Sequence, residues 1–166
     1  KVSASDVVNV SGVGTYADKN VTVSANKNYT LTNLAISGDD AANYVLTTTG
    51  SNNSTQNGTN GQITPRNLLI TYTGVDRVYD GTTTATVTTT DNRVAGDTLS
   101  IARTAEFADK NVAYNVSNNV ISKAVSVTGV ALSGTDATNY QVVDVSNQIT
   151  TTGSPTATIT PRALTI

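Results

Sequence analysis

Histidine, cysteine, methionine and tryptophan are absent from these 166 residues, and Glu106 is the single glutamate. Without imidazole or thiolate the chain lacks the usual ligands of zinc, copper, haem iron and iron–sulfur clusters. It also lacks the base or nucleophile of Ser-His-Asp and Cys-His catalysis, so an enzyme is not expected. The lack of cysteine removes disulfide staples, and each folded unit must then be held by its packed core. Charge is sparse and mixed, ten basic against twelve acidic residues. No cluster of Lys and Arg offers the counterion release on which nucleic-acid binding depends. No apolar run approaches the roughly 20 residues of a membrane-spanning helix, and insertion into a membrane is not expected.

What the chain does have is a copy of itself. Tyr16-Ala17-Asp18-Lys19-Asn20-Val21 returns as Phe107-Ala108-Asp109-Lys110-Asn111-Val112. Ile36-Ser37-Gly38 with Asp40-Ala41-Ala42-Asn43-Tyr44 returns as Leu132-Ser133-Gly134 with Asp136-Ala137-Thr138-Asn139-Tyr140, and Ile63-Thr64-Pro65-Arg66 returns as Ile159-Thr160-Pro161-Arg162. The offset is about 91 residues at the first block and about 96 at the others, so a small insertion falls between Ala113 and Ala124. Such a period exceeds the roughly 20 to 50 residues of solenoid and propeller units, and each copy is long enough for its own core. Proline interrupts a central ladder, so Pro65 and Pro161 mark junctions. The expected organisation is a first repeat over 1–66, lacking a counterpart of Val75 to Val87, a second and complete repeat over 67–162, and the start of another at 163–166. A junction without Gly or Ser stretches is expected to be stiff.

Apolar residues alternate with period two at Val8 and Val10, Leu99 and Ile101, Val125 and Val127, Val142 and Val145, and Ile159 with Leu164 and Ile166. Thr, Val and Ile fill these runs and Gly, Asn and Asp separate them, which predicts an all-β chain. Single helical turns are expected only at Asp40 to Asn43 and Asp136 to Asn139. The polar stretches 47–61 and 147–155 read as exposed loops or hairpin tips. Asp-x-x-x-Tyr is the pattern of the turn into the sixth strand of an immunoglobulin-like sandwich, where the tyrosine hydroxyl bonds back to upstream backbone. Leu46 and Val142 then take the inward position two residues on. Tandem immunoglobulin-like β-sandwich repeats are therefore expected, with a β-grasp fold as the alternative that a longer helix at Asp40 or Asp136 would favour.

Few residues point to chemistry. Asp18 and Asp109 in Asp-Lys-Asn, with Asp40 and Asp136, could supply oxygen ligands to calcium, although an Asp-capped turn accounts for the same residues. No other cofactor is expected. Tyr79-Asp80-Gly81 favours a tight turn with positive φ. Thr84, Thr86 and Thr88 share one strand face, as β propensity alone would place them.

Val78-Tyr79-Asp80-Gly81-Thr82-Thr83, Ala95-Gly96-Asp97, Phe107 to Val112, Leu132-Ser133-Gly134 with Asp136 to Tyr140, and Ile159-Thr160-Pro161 together resemble the YDG domain. That repeat occurs in large, secreted, filamentous-haemagglutinin-like adhesins of Gram-negative bacteria. The resemblance covers nearly all of residues 70–162 and the first copy from about Ser5, where Tyr-Asp-Gly itself is missing. It implies an extracellular protein of the bacterial outer surface, serving adhesion or biofilm formation, whose repeats form a stalk toward a host-cell or matrix surface. No catalytic or ligand residue follows from it. The competing expectation is a glycan- or calcium-binding module using the loops at 47–61 and 147–155. A monomer is expected, or an edge-strand dimer where an incomplete sheet leaves backbone unpaired.

Overall fold

Residues 123–128, Lys-Ala-Val-Ser-Val-Thr, show why this sequence makes sheet. Val125 and Val127 are 0 % exposed while Ser126 and Thr128 face solvent. Alternation of this kind puts one strand face in a core and the other in water. The computed structural model describes residues 3–24, 26–48, 51–52 and 55–166. The fold is all-β, and among the described residues the only helical pieces are 3-10 turns at Ala41–Asn43 and Ala137–Asn139, where single turns are expected. The chain divides into two units, Lys1–Thr64 and Pro65–Ile166, the division falling inside Ile63-Thr64-Pro65-Arg66.

The first unit holds β1 (Asn9–Tyr16), β2 (Lys27–Ser37), β3 (Thr47–Thr48), β4 (Ser51–Asn52) and β5 (Gln56–Gly61). One antiparallel sheet has the order β1-β2-β5, and β3 pairs with β4 antiparallel over two residues each. The polar stretch expected to be an exposed loop or a hairpin tip thus ends in a strand. Its glycines explain this, because the rings of Tyr29, on the neighbouring β2, and of Tyr16, on β1 beyond it, lie across Gly58 and Gly61, where a Cβ would collide with them. Aromatic rings laid over strand glycines replace the packing that those glycines lack. Residues 49, 50, 53 and 54 of that stretch lie outside the described residues.

The second unit holds β6 (Arg66–Val75), β7 (Arg77–Val78), β8 (Thr86–Asp91), β9 (Ser100–Phe107), β10 (Ala113–Tyr114), β11 (Val120–Ile121), β12 (Lys123–Ser133), β13 (Tyr140–Val143), β14 (Thr156–Ala157) and β15 (Ile159–Thr160). One sheet runs β14-β12-β9 and is antiparallel; another runs β13-β6-β8, with β13 parallel to β6. A further parallel pair joins β15 to β7. The β10–β11 hairpin is the insertion that shifts the repeat offset, turned by Asn118 at φ 60. Leu68 and Ile70 of β6 and Val87 of β8 pack into one cluster with Phe107, Val125 and Val127 of the other sheet. Leu68, Val125, Val127 and Ile159 are wholly buried, each stabilising the unit by about 1.5–3 kcal/mol relative to exposure. A bulge between Thr128 and Ala131, with Gly129 at φ +64, restores Val130 to the core side.

Three alternation-based expectations fail, the first at Val8, which lies ahead of β1, and Val10, which is 65 % exposed. Val145 is 88 % exposed and sits in a turn whose amides at Ser146 and Gln148 donate to Asp144 Oδ1. Leu164 and Ile166 lie outside every strand and are exposed. Val142, by contrast, packs against the core as its position after Tyr140 predicts.

Candidate functional site

Asp109 closes β9 with a turn in which its Oδ1 accepts the Asn111 amide at 2.8 Å. The same oxygen accepts Lys123 Nζ at 2.5 Å, and that ammonium also donates to the carbonyls of Asp109 and Asn111, both at 3.0 Å. Lys123 opens β12, and its ammonium stands 5.9 Å from the Phe107 ring centroid. The first unit repeats the arrangement: Asp18 Oδ1 accepts the Asn20 amide at 2.7 Å and Lys27 Nζ at 2.5 Å, and Lys27 Nζ donates to the Asn20 carbonyl at 2.8 Å. The lysine bonds, and then the turn amides, hold both carboxyls below their ordinary range. In each unit a lysine ammonium is therefore the cation that these oxygens hold.

Asp136 does a different job. Its Oδ2 accepts the Thr98 amide at 2.9 Å while its own amide donates to the Thr98 carbonyl at 3.3 Å, tying the 3-10 turn to the start of β9. Four residues on, the Tyr140 hydroxyl donates to Asp97 Oδ2 at 2.6 Å and accepts the Val94 amide at 2.9 Å. Burial and the neighbouring Asp97 carboxylate both push the Tyr140 phenol up. Asp40 repeats the clamp, accepting the Val7 amide at 2.8 Å and donating its amide to the Val7 carbonyl at 3.2 Å, and the Tyr44 hydroxyl donates to Asp6. Gly134 is required here: at φ +112, a Cβ on it would lie 2.5 Å from the Thr98 carbonyl oxygen. Tyrosine does bond back to upstream backbone, as the motif predicts, but across 46 residues to the approach of β9.

Tyr79-Asp80-Gly81 is a turn. Asp80 Oδ1 accepts the Thr82 amide at 2.9 Å and hydroxyl at 2.8 Å, with Gly81 at φ +86. Arg77 pairs with Asp80, and its guanidinium lies 5.4 Å from the Phe107 ring centroid. The Arg77 bond, then those from Thr82, depress the Asp80 carboxyl to about 2. Tyr79 packs against the core, and its amide donates to the Thr160 carbonyl at 2.9 Å. Thr86 and Thr88 are the solvent side of a strand whose Val87 is buried.

Of the four candidate calcium ligands, Asp18 and Asp109 each bind a lysine and Asp40 and Asp136 each bind a backbone amide just ahead of a strand, and among the described residues no group of three or more Asp or Glu side chains is placed to hold a metal ion. Sequence reasoning missed Lys27, Lys123, Asp6 and Asp97. Each pair is itself an echo at the repeat offset, and that signal could have found them.

These turns define an all-β repeat chain whose recurrent carboxylates fasten its own backbone. The model of the YDG domain family matches residues 1–54 and 64–152, and the chain belongs to that family. No curated protein and no solved structure is significantly similar to it.

Proposed function

We propose that this chain is a repeat segment of a bacterial surface adhesin, built of tandem immunoglobulin-like sandwiches, that serves as a stalk between the cell and a host-cell or matrix surface. The observation that carries the reading is where the motif residues spend their polar groups. Asp18, Asp40, Asp80, Asp109 and Asp136 all accept hydrogen bonds from their own unit. Repeat residues so engaged maintain a fold rather than capture a ligand, and arrays of like domains supply reach and multivalency.

A stalk must bear load, so the test is single-molecule stretching of the chain with and without calcium. The second unit should open in one event, releasing about 30–37 nm from roughly 100 residues at about 3.6 Å each. Calcium should leave the opening force unchanged. Featureless extension, or an opening force that appears only with calcium, would overturn the reading.

A further inference from the structure

The sheet of the first unit repeats that of the second in register. Pairs from Asn9↔Ser37 to Tyr16↔Tyr29 match pairs from Ser100↔Ser133 to Phe107↔Val125, and Lys27↔Gly61 matches Lys123↔Ala157. Even the bulge recurs, with Asn33 at φ 52 where Gly129 takes φ +64. What differs is the layer above. In the second unit β6 and β8 cover the sheet, whereas among the described residues of the first unit nothing plays that part.

The uncovered side chains show it. Tyr16 is 43 % exposed where Phe107 is 3 %, and Tyr29 and Leu31 are half-buried where Val125 and Val127 are 0 % exposed. Tyr16 and Tyr29 meet edge to face at 6.4 Å, and with Leu31 and Gly61 they line an open groove of about 330 Å³. The edges agree with the face. The β9 backbone accepts the Ala85 amide at Ala105 and donates from Phe107 to Thr83, while β1 is the outer strand of its sheet. Residues 44–46 and 63–64, at the positions where β13 and β15 pair with β6 and β7, lie outside every strand.

We propose that this face and edge of the first unit form a docking surface for a strand pair of the β6–β8 type, supplied by a further YDG repeat. The second unit specifies the occupant: an extended segment with Leu-x-Ile on its inward side, a Tyr-Asp-Gly turn, and a returning segment with Ala-x-Val inward. Strand addition of this kind draws affinity from main-chain bonds and specificity from alternate side chains. A second copy of this chain is a poorer fit, because its own Arg66–Val75 and Thr86–Asp91 already pack against the sheet of its second unit.

The test adds a synthetic peptide of residues 66–91 to the full chain and follows amide exchange by mass spectrometry. Exchange across β2 and β5 should slow by about tenfold or more, the factor that each 1.4 kcal/mol of binding contributes, while β12 stays as it was. The same segment joined ahead of Lys1 should give the same protection without depending on peptide solubility. The proposal is overturned if neither form slows exchange in β2, or if a peptide carrying Leu68→Asp and Ile70→Asp does so equally well. It also falls if concentrating the chain alone protects β2, since a second copy would then be the occupant.

Discussion

The Tyr140 hydroxyl stands 2.6 Å from Asp97 Oδ2 and takes the Val94 amide at 2.9 Å, so one side chain joins the strand it opens to the approach of β9, more than forty residues earlier. Beside it, Asp136 bonds Thr98 in both directions. The two contacts act on adjacent residues, Asp97 and Thr98, and fix where β9 begins relative to β13.

Tyr140→Phe keeps the ring and removes the bridge, leaving the Val94 amide and the Asp97 carboxylate each short of a partner. Lost hydrogen bonds of a buried group should lower the melting temperature by roughly 4–10 °C. Calorimetry of the full chain checks this, with the transition of the second unit expected to move.

Leu68 and Leu164 hold equivalent places after the two Ile-Thr-Pro-Arg motifs, yet one is 0 % and the other 88 % exposed. Leu68→Ala should cost about 2–5 kcal/mol through lost burial and a cavity. Leu164→Ala should stay within about 0.5 kcal/mol. Urea denaturation of the two variants reads both.

Gly134→Ala places a methyl 2.5 Å from the Thr98 carbonyl at a left-handed backbone angle. The expected loss is about 1–3 kcal/mol. Gly81→Ala meets no neighbouring atom within 4 Å, so only its backbone conformation resists, and the smaller loss in the same denaturation assay separates steric from conformational cost.

Asp80 titrates at about 2, and Asp91 and Asp109 also lie below the ordinary 3.8, each lowered first by its bond to Arg77, Arg93 or Lys123. Unfolded, these carboxyls bind protons that the native state still refuses. Their contribution to stability is therefore complete above the ordinary value and is lost as pH falls from about 4 toward 2. Thermal stability should fall in that window, and Asp80→Asn should flatten the fall. Lys123→Met should return the Asp109 carboxyl toward its ordinary range, read by NMR titration of its side-chain carbonyl.

Much of this architecture is legible in the order of residues alone. Alternating Val125 and Val127 announce strand, the echoes announce two like units, and Asp-x-x-x-Tyr announces both the 3-10 turn and the hydroxyl bond. The parts that stay hidden depend on contacts between residues distant along the chain. A lone lysine at Lys27 or Lys123 looks like a solvated charge until β2 or β12 brings it to the Asp-Lys-Asn turn. Asp18 and Asp109 look like calcium ligands because the motif shows the acceptors without the amine that fills them. Gln56 to Gly61 looks like a loop because its glycines carry no pattern of their own; the pattern lies in Tyr16 and Tyr29 across the sheet.

Two copies of one sheet thus differ chiefly in whether a β6–β8 layer covers them, and native-state amide exchange compares the copies within one molecule. Exchange across 27–37 should be faster than across Lys123–Ser133 by about a hundredfold or more, since an uncovered sheet opens locally while a sealed one opens only with its unit. Equal protection of the two strands would contradict the account.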